Sequence, residues 1–147
     1  AGFLPLRDGS VDIVTFDYVL HHLTGQGELD RAIEVVFRVL RTGGYLIARE
    51  PSSHSVGGFI LNIANKFRLM YALTGASNYE FAIAPPYLLG LFARHGTLVE
   101  IRGLSYLCAR RLPIRIQEII DELEPRLFGG ERGPWRADFI LYIVRKT

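Results

Sequence analysis

One cysteine, Cys108, stands alone among 147 residues. An intrachain disulfide needs two cysteines and a cysteine zinc cluster needs more, so both are excluded. A solitary thiol fits a reducing compartment, and a cytoplasmic location is expected. Charge of either sign is also not in excess. The 17 Lys and Arg against 15 Asp and Glu leave a formal net charge of +2. That lacks the basic stripe typical of a nucleic-acid binder, so no nucleic-acid partner is expected. The most apolar stretch, 56–73, is interrupted by Asn62, Asn65, Lys66 and Arg68, so no membrane span is expected. The start of the chain holds Arg7 and Asp8 where a signal peptide would carry an apolar run. No G-x-G-x-x-G occurs, which removes the fingerprint of a nucleotide-dependent dehydrogenase from these residues. No His or carboxylate sits at ligand spacing from the adjacent His21 and His22, and no metal is expected. Internal repeats and low-complexity tracts are lacking too.

What is present reads as one α/β domain. The hydrophobic fraction of 49% and charged fraction of 22% suit a globular chain with its own core. Residues 11–16 are β-branched and aromatic after an Asp8-Gly9-Ser10 turn, and predict a strand. Its continuous apolar character from Ile13 to Phe16 predicts burial on both faces, as in a parallel sheet. Residues 28–41 predict the clearest helix. Leu29, Ala32, Ile33, Val36, Phe37 and Leu40 recur at helical spacing, with charged residues on the other face. Acids gather in its first turn and bases in its last, which suits the helix dipole. Gly43 or Gly44 is positioned to end it, and 45–48 predict the next strand. Strand, helix and strand in that order make one right-handed crossover. Further helices are predicted over 56–73, 85–95 and 114–123, and strands over 97–107, with a bulge at Gly103, and 137–144. Residues 128–134 read as a Gly-rich loop, and Arg145 and Lys146 as a fraying end.

Two stretches carry a family resemblance: Leu4-Pro5-Leu6-Arg7-Asp8-Gly9-Ser10-Val11-Asp12-Ile13-Val14, then Leu20-His21-His22-Leu23. Followed by the helix, Gly43-Gly44 and a strand ending in Glu50-Pro51, they resemble the middle of a class I S-adenosylmethionine (SAM)-dependent methyltransferase of the type 11-like group. The resemblance is specific over residues 4–51 and generic beyond. It implies the C-terminal part of a Rossmann-like methyltransferase sheet, with parallel strands followed by an antiparallel edge pair. It divides the chain into a cofactor-side core over 1–51, a substrate lid over 52–96, and C-terminal strands and helix over 97–147. The family's Gly-rich cofactor loop would lie upstream of Ala1. A piece of a longer enzyme is therefore expected, and residues 1–147 alone are expected to hold SAM weakly.

The resemblance also implies roles. SAM would be the cofactor, lined by Phe16 and Asp17 at the end of the first strand and by backbone groups of Ala1 and Gly2. Methyl transfer would go to a small-molecule acceptor, such as a lipid or quinone-like compound. His22 is the candidate catalytic base, because an imidazole can take a hydroxyl proton near neutral pH. Its competing role is packing. Glu50, Tyr79 and Glu80 are candidate substrate contacts, with turn capping the alternative for Glu50. The stripe Phe59, Ile63, Phe67 and Met70 could line an acceptor pocket, pack in the core or form a homodimer contact. A non-catalytic methyltransferase-like binding or assembly domain is the competing function.

Overall fold

The computed structural model describes residues 4–23, 25, 27–55, 58–59, 62–63, 82–105, 114–128 and 133–147. The first strand, β1 (Val11–Asp17), leads through a 3-10 turn (Leu20–His22) into helix α1 (Glu28–Val39) and then β2 (Leu40–Pro51). β1 and β2 pair in parallel, from Ile13 opposite Tyr45 to Asp17 opposite Arg49. The predicted strand–helix–strand order with parallel pairing is therefore present. Helix α2 (Pro85–Ala93) precedes β3 (Gly96–Ser105), and helices α3 (Ile114–Phe128) and α4 (Gly133–Arg136) precede β4 (Phe139–Lys146). The sheet order is β1-β2-β4-β3. β4 inserts between β2 and β3 and runs antiparallel to both. The parallel pair followed by an antiparallel edge pair is the predicted architecture.

One apolar cluster joins these elements. Leu29, Ile33, Val36 and Phe37 of α1, Leu46 and Ala48 of β2, Leu88, Leu91 and Phe92 of α2, and Ile140, Tyr142 and Val144 of β4 are all buried in it. Each large apolar side chain taken from water this way contributes about 1.5–3 kcal/mol. The Phe92 and Tyr142 rings meet edge to face with centroids 5.7 Å apart. Arg38 ties the segment before β1 to α1, donating to the carbonyls of Leu4 and Leu6 at 3.0 and 3.1 Å and pairing with Asp8.

Several boundaries differ from expectation. α1 ends at Val39 because Leu40 turns extended at ψ 135°. Residues 40–44 then belong to β2, with a register irregularity opposite Val11–Ile13. Gly43 takes the left-handed conformation at φ +78°, and a Cβ on Gly44 would come within 2.8 Å of the Asp12 carbonyl. Both glycines thus shape an irregular strand rather than a helix stop. Lys146 does not fray: it lies in β4, and its Nζ donates to the carbonyls of Phe37 and Leu40, capping the end of α1. α3 runs on to Phe128, and Gly133 and Pro134 of the expected Gly-rich loop fall in α4. The bulge expected at Gly103 is present as a register shift between Gly103 and Ser105. Most of the predicted 56–73 helix, and Cys108, lie outside the described residues.

Candidate active site

In an open α/β sheet, ligands gather at the carboxyl ends of the parallel strands. Here those ends are Asp17 of β1 and Arg49 of β2, which face each other in register. Arg49 donates to Asp17 through Nε at 2.6 Å and Nη2 at 2.7 Å, a two-pronged ion pair on the exposed rim. The hydrogen bond to Asp17 raises the Arg49 pKa further above its ordinary value, against a smaller opposing effect of burial. The next residue, Tyr18, sits in the left-handed region at φ +57°. Its amide donates to the Arg49 carbonyl at 3.0 Å. The Arg49 guanidinium lies 4.6 Å from its ring centroid, and Phe139 of β4 meets the same ring edge to face at 4.9 Å.

Successive residues of a strand point to opposite faces, so Glu50 turns inward where Arg49 turns out. Glu50 is 1% exposed. Its Oε1 accepts from the amides of Val19 at 2.9 Å and Leu20 at 2.7 Å. Its Oε2 accepts from the His21 amide at 3.3 Å and lies 2.8 Å from His21 Nδ1. These amides open the 3-10 turn and have no partner inside it, so a carboxylate satisfies them as a cap. Beneath, in β4, burial and the Glu50 charge together push the Tyr142 phenol well above the usual tyrosine range. His21 is buried. His22 is exposed, its ring centroid 4.0 Å from that of His21.

Among the described residues, two clefts adjoin the sheet. One, of about 490 Å³, is lined by Thr42, Gly43, Thr97 and Arg145, at the opposite end of β2 from the rim. The other, of about 350 Å³, adjoins the histidine turn and is lined by Leu23, Leu29, Asp30, Ala82, Ile83 and Tyr87 among others. The smaller cleft is the one that suits the strand-end rule. On its wall Asp30 accepts from the Tyr87 hydroxyl at 3.1 Å and from Arg94 at 3.2 Å. Burial, and then Asp30, raise the Tyr87 pKa.

Phe16, Asp17, His22 and Glu50, singled out from the sequence, therefore meet at one rim. Phe16 is half-buried against the core. Ala1, Gly2, Tyr79 and Glu80 lie outside the described residues, as do Phe67 and Met70; Phe59 and Ile63 are exposed. The Asp17–Arg49 pair and the hold of Glu50 on His21 were not among the expected features. The alternation of Arg49 and Glu50 at a strand end, opposite Asp17, was the available signal.

Residues 1–48 match a family model described as a methyltransferase domain. The chain also superposes on a SAM-dependent methyltransferase from Thermotoga maritima at a TM-score of 0.65 and 17% identity, covering 99% of this chain and 61% of that one. The fold is that of the SAM-dependent methyltransferases. One from Methanosarcina mazei gives a TM-score of 0.62 at 18% identity, covering 99% and 63%. One from Archaeoglobus fulgidus gives 0.57 at 14%, covering 96% and 62%. This methyltransferase-fold chain thus spans about three fifths of the length of the solved structures it matches. Among curated proteins none matches. No helix among the described residues is long and apolar enough to cross a membrane.

Proposed function

We propose that the chain serves SAM-dependent methyl transfer to a small-molecule acceptor, such as a lipid or quinone-like compound. The observation that carries this reading is the paired Asp17 and Arg49 at the carboxyl ends of two adjacent parallel strands. The methionine end of SAM is a zwitterion. An exposed pair with one charge of each sign complements it, Asp17 toward the ammonium and Arg49 toward the carboxylate. The donor set therefore fits the cofactor. SAM supplies an electrophilic methyl group on a sulfonium. The chain's own part is to hold the reactants aligned, which by itself lowers a barrier by several kcal/mol. Phe16 closes the apolar floor of the rim. The histidine turn borders the acceptor, with His22 at its exposed edge. The 82–96 part of the proposed lid supplies Ala82, Ile83 and Tyr87 to the adjoining cleft.

The test is label transfer from methyl-tritiated SAM by the full-length protein, offered catechols, hydroxyquinones and amines. Acceptor-dependent release of S-adenosylhomocysteine is expected. Arg49→Leu and Asp17→Asn should each raise the SAM Kd roughly five- to twentyfold, the loss of one partly exposed charge-assisted contact. SAM binding without transfer to any acceptor would favour a non-catalytic binding domain instead.

A further inference from the structure

Two histidines occupy the turn after β1, and the structure distinguishes them. We propose that His21 is the proton acceptor of this site and Glu50 its positioning residue, so that the acceptor molecule is one that surrenders a proton, such as a phenol or enol hydroxyl. This rests on the methyl-transfer reading above.

Among the described residues, the groups that hydrogen-bond the Glu50 carboxylate are three backbone amides and one imidazole nitrogen. Backbone amides can only donate, so the carboxylate must act as acceptor for all of them. Nδ1 of His21 then carries the hydrogen on its 2.8 Å contact. In a neutral imidazole with Nδ1–H, the lone pair is on Nε2. Glu50 thereby chooses the tautomer as well as the ring orientation. The same carboxylate also holds the backbone of the turn through Val19, Leu20 and His21, so ring and backbone cannot shift independently. His22 is exposed and is not held by Glu50.

The step balances. The acceptor hydroxyl passes its proton to His21 Nε2 while its oxygen bonds to the transferred methyl carbon. The C–S bond breaks, and its electron pair stays on sulfur. The positive charge lost from the sulfonium is matched by the imidazolium that forms, and that charge lies directly against Glu50. An acceptor that arrives already deprotonated, such as a thiophenolate, would not need this arrangement.

Nitrogen NMR of the imidazole side chains in the full chain tests the tautomer without any acceptor. His21 is expected as the Nδ1–H form. Glu50→Gln should reverse it. The amide oxygen will take the close Val19 and Leu20 contacts, leaving its NH2 toward Nδ1, which must then accept. Glu50→Asp, which keeps the charge, should retain the native tautomer and carries the test if Glu50→Gln does not fold. In turnover, Glu50→Gln should lower kcat for a catechol roughly tenfold to a hundredfold. The KM for SAM should hold, and transfer to thiophenolate, which has no proton to lose, should be spared. Glu50→Asp should recover part of the catechol rate. An Nε2–H tautomer in the native chain, or equal loss on catechol and thiophenolate, would overturn the assignment while leaving methyl transfer standing. Native tautomer with no transfer to any acceptor would instead sink the methyl-transfer reading, and the base role with it.

Discussion

Removing the Glu50 carboxylate should take away a large share of the protein's stability, and the cost can be worked from its contacts. Glu50→Ala strips an acceptor from four donors at 2.7–3.3 Å. The Leu20 amide and His21 Nδ1 are buried, and each buried donor left unsatisfied costs about 1–3 kcal/mol. The Val19 amide is partly buried and the His21 contact is long, so these two add less. Relief from holding a carboxylate out of water offsets part of the sum. Two buried donors at that cost, less this relief, put the expected loss at about 2–5 kcal/mol. Small domains carry only about 5–15 kcal/mol in all. Urea unfolding followed by circular dichroism is the assay, and a loss of 4 kcal/mol should lower the midpoint by about 2 M for a slope of about 2 kcal/mol/M. Hydrogen exchange at the Leu20 and His21 amides should accelerate by a similar free energy if the variant still folds. A loss below about 1 kcal/mol, with those amides still protected, would refute the view that Glu50 clamps the turn.

Four further outcomes are expected. The Tyr142 phenol is raised above its ordinary value of 10.0, so its stabilising share is complete below that pH and is lost as pH climbs through the folded value. Urea midpoints should therefore fall from about pH 9 to about pH 11, and Tyr142→Phe should flatten the slope. Gly96→Ala would set a Cβ 2.4 Å from the Arg145 carbonyl oxygen; a loss of about 1–3 kcal/mol on thermal melting is expected, as for overpacking. Lys146→Met leaves the Phe37 and Leu40 carbonyls without their cap, which should lower stability by about 1–2 kcal/mol in the same assay. His21→Gln should reduce catechol turnover about a hundredfold or more in the folded fraction. A larger loss from His22→Ala than from His21→Gln would return the base role to His22.

The parts of the fold legible in the sequence are those governed by local pattern. The apolar spacing of Leu29, Ile33, Val36 and Phe37 has one good solution, a helix laid on the sheet, and the structure adopts it. Gly103 announced its bulge because a strand interior has little other use for glycine. Features set by tertiary partners were not legible. Lys146 looks like a solvated end until α1 is folded beside it. Leu40 fits the helical stripe, yet its backbone turns extended to pair opposite Val11. The site divides the same way. Asp17, His22 and Glu50 were recognisable as chemistry at strand ends. The choice between His21 and His22 depends on which ring faces inward, and spacing does not encode that for adjacent residues of a turn.

The position of β4 bears on how the chain is made. A ribosome releases β1, α1 and β2 first, and they are adjacent and can pair as they emerge. β3 follows, yet among the described strands its one partner is β4. Until Phe139–Lys146 leaves the exit tunnel, β3 has no place in this sheet, and the inner edge of β2 stays open. α1 waits equally long for the lysine that closes its end. The β1–α1–β2 unit and β3 are thus joined late, by a strand that enters between them. Contacts so distant in sequence slow the final step of folding. An exposed strand edge in the interim is the kind of surface that recruits chaperones or other nascent chains.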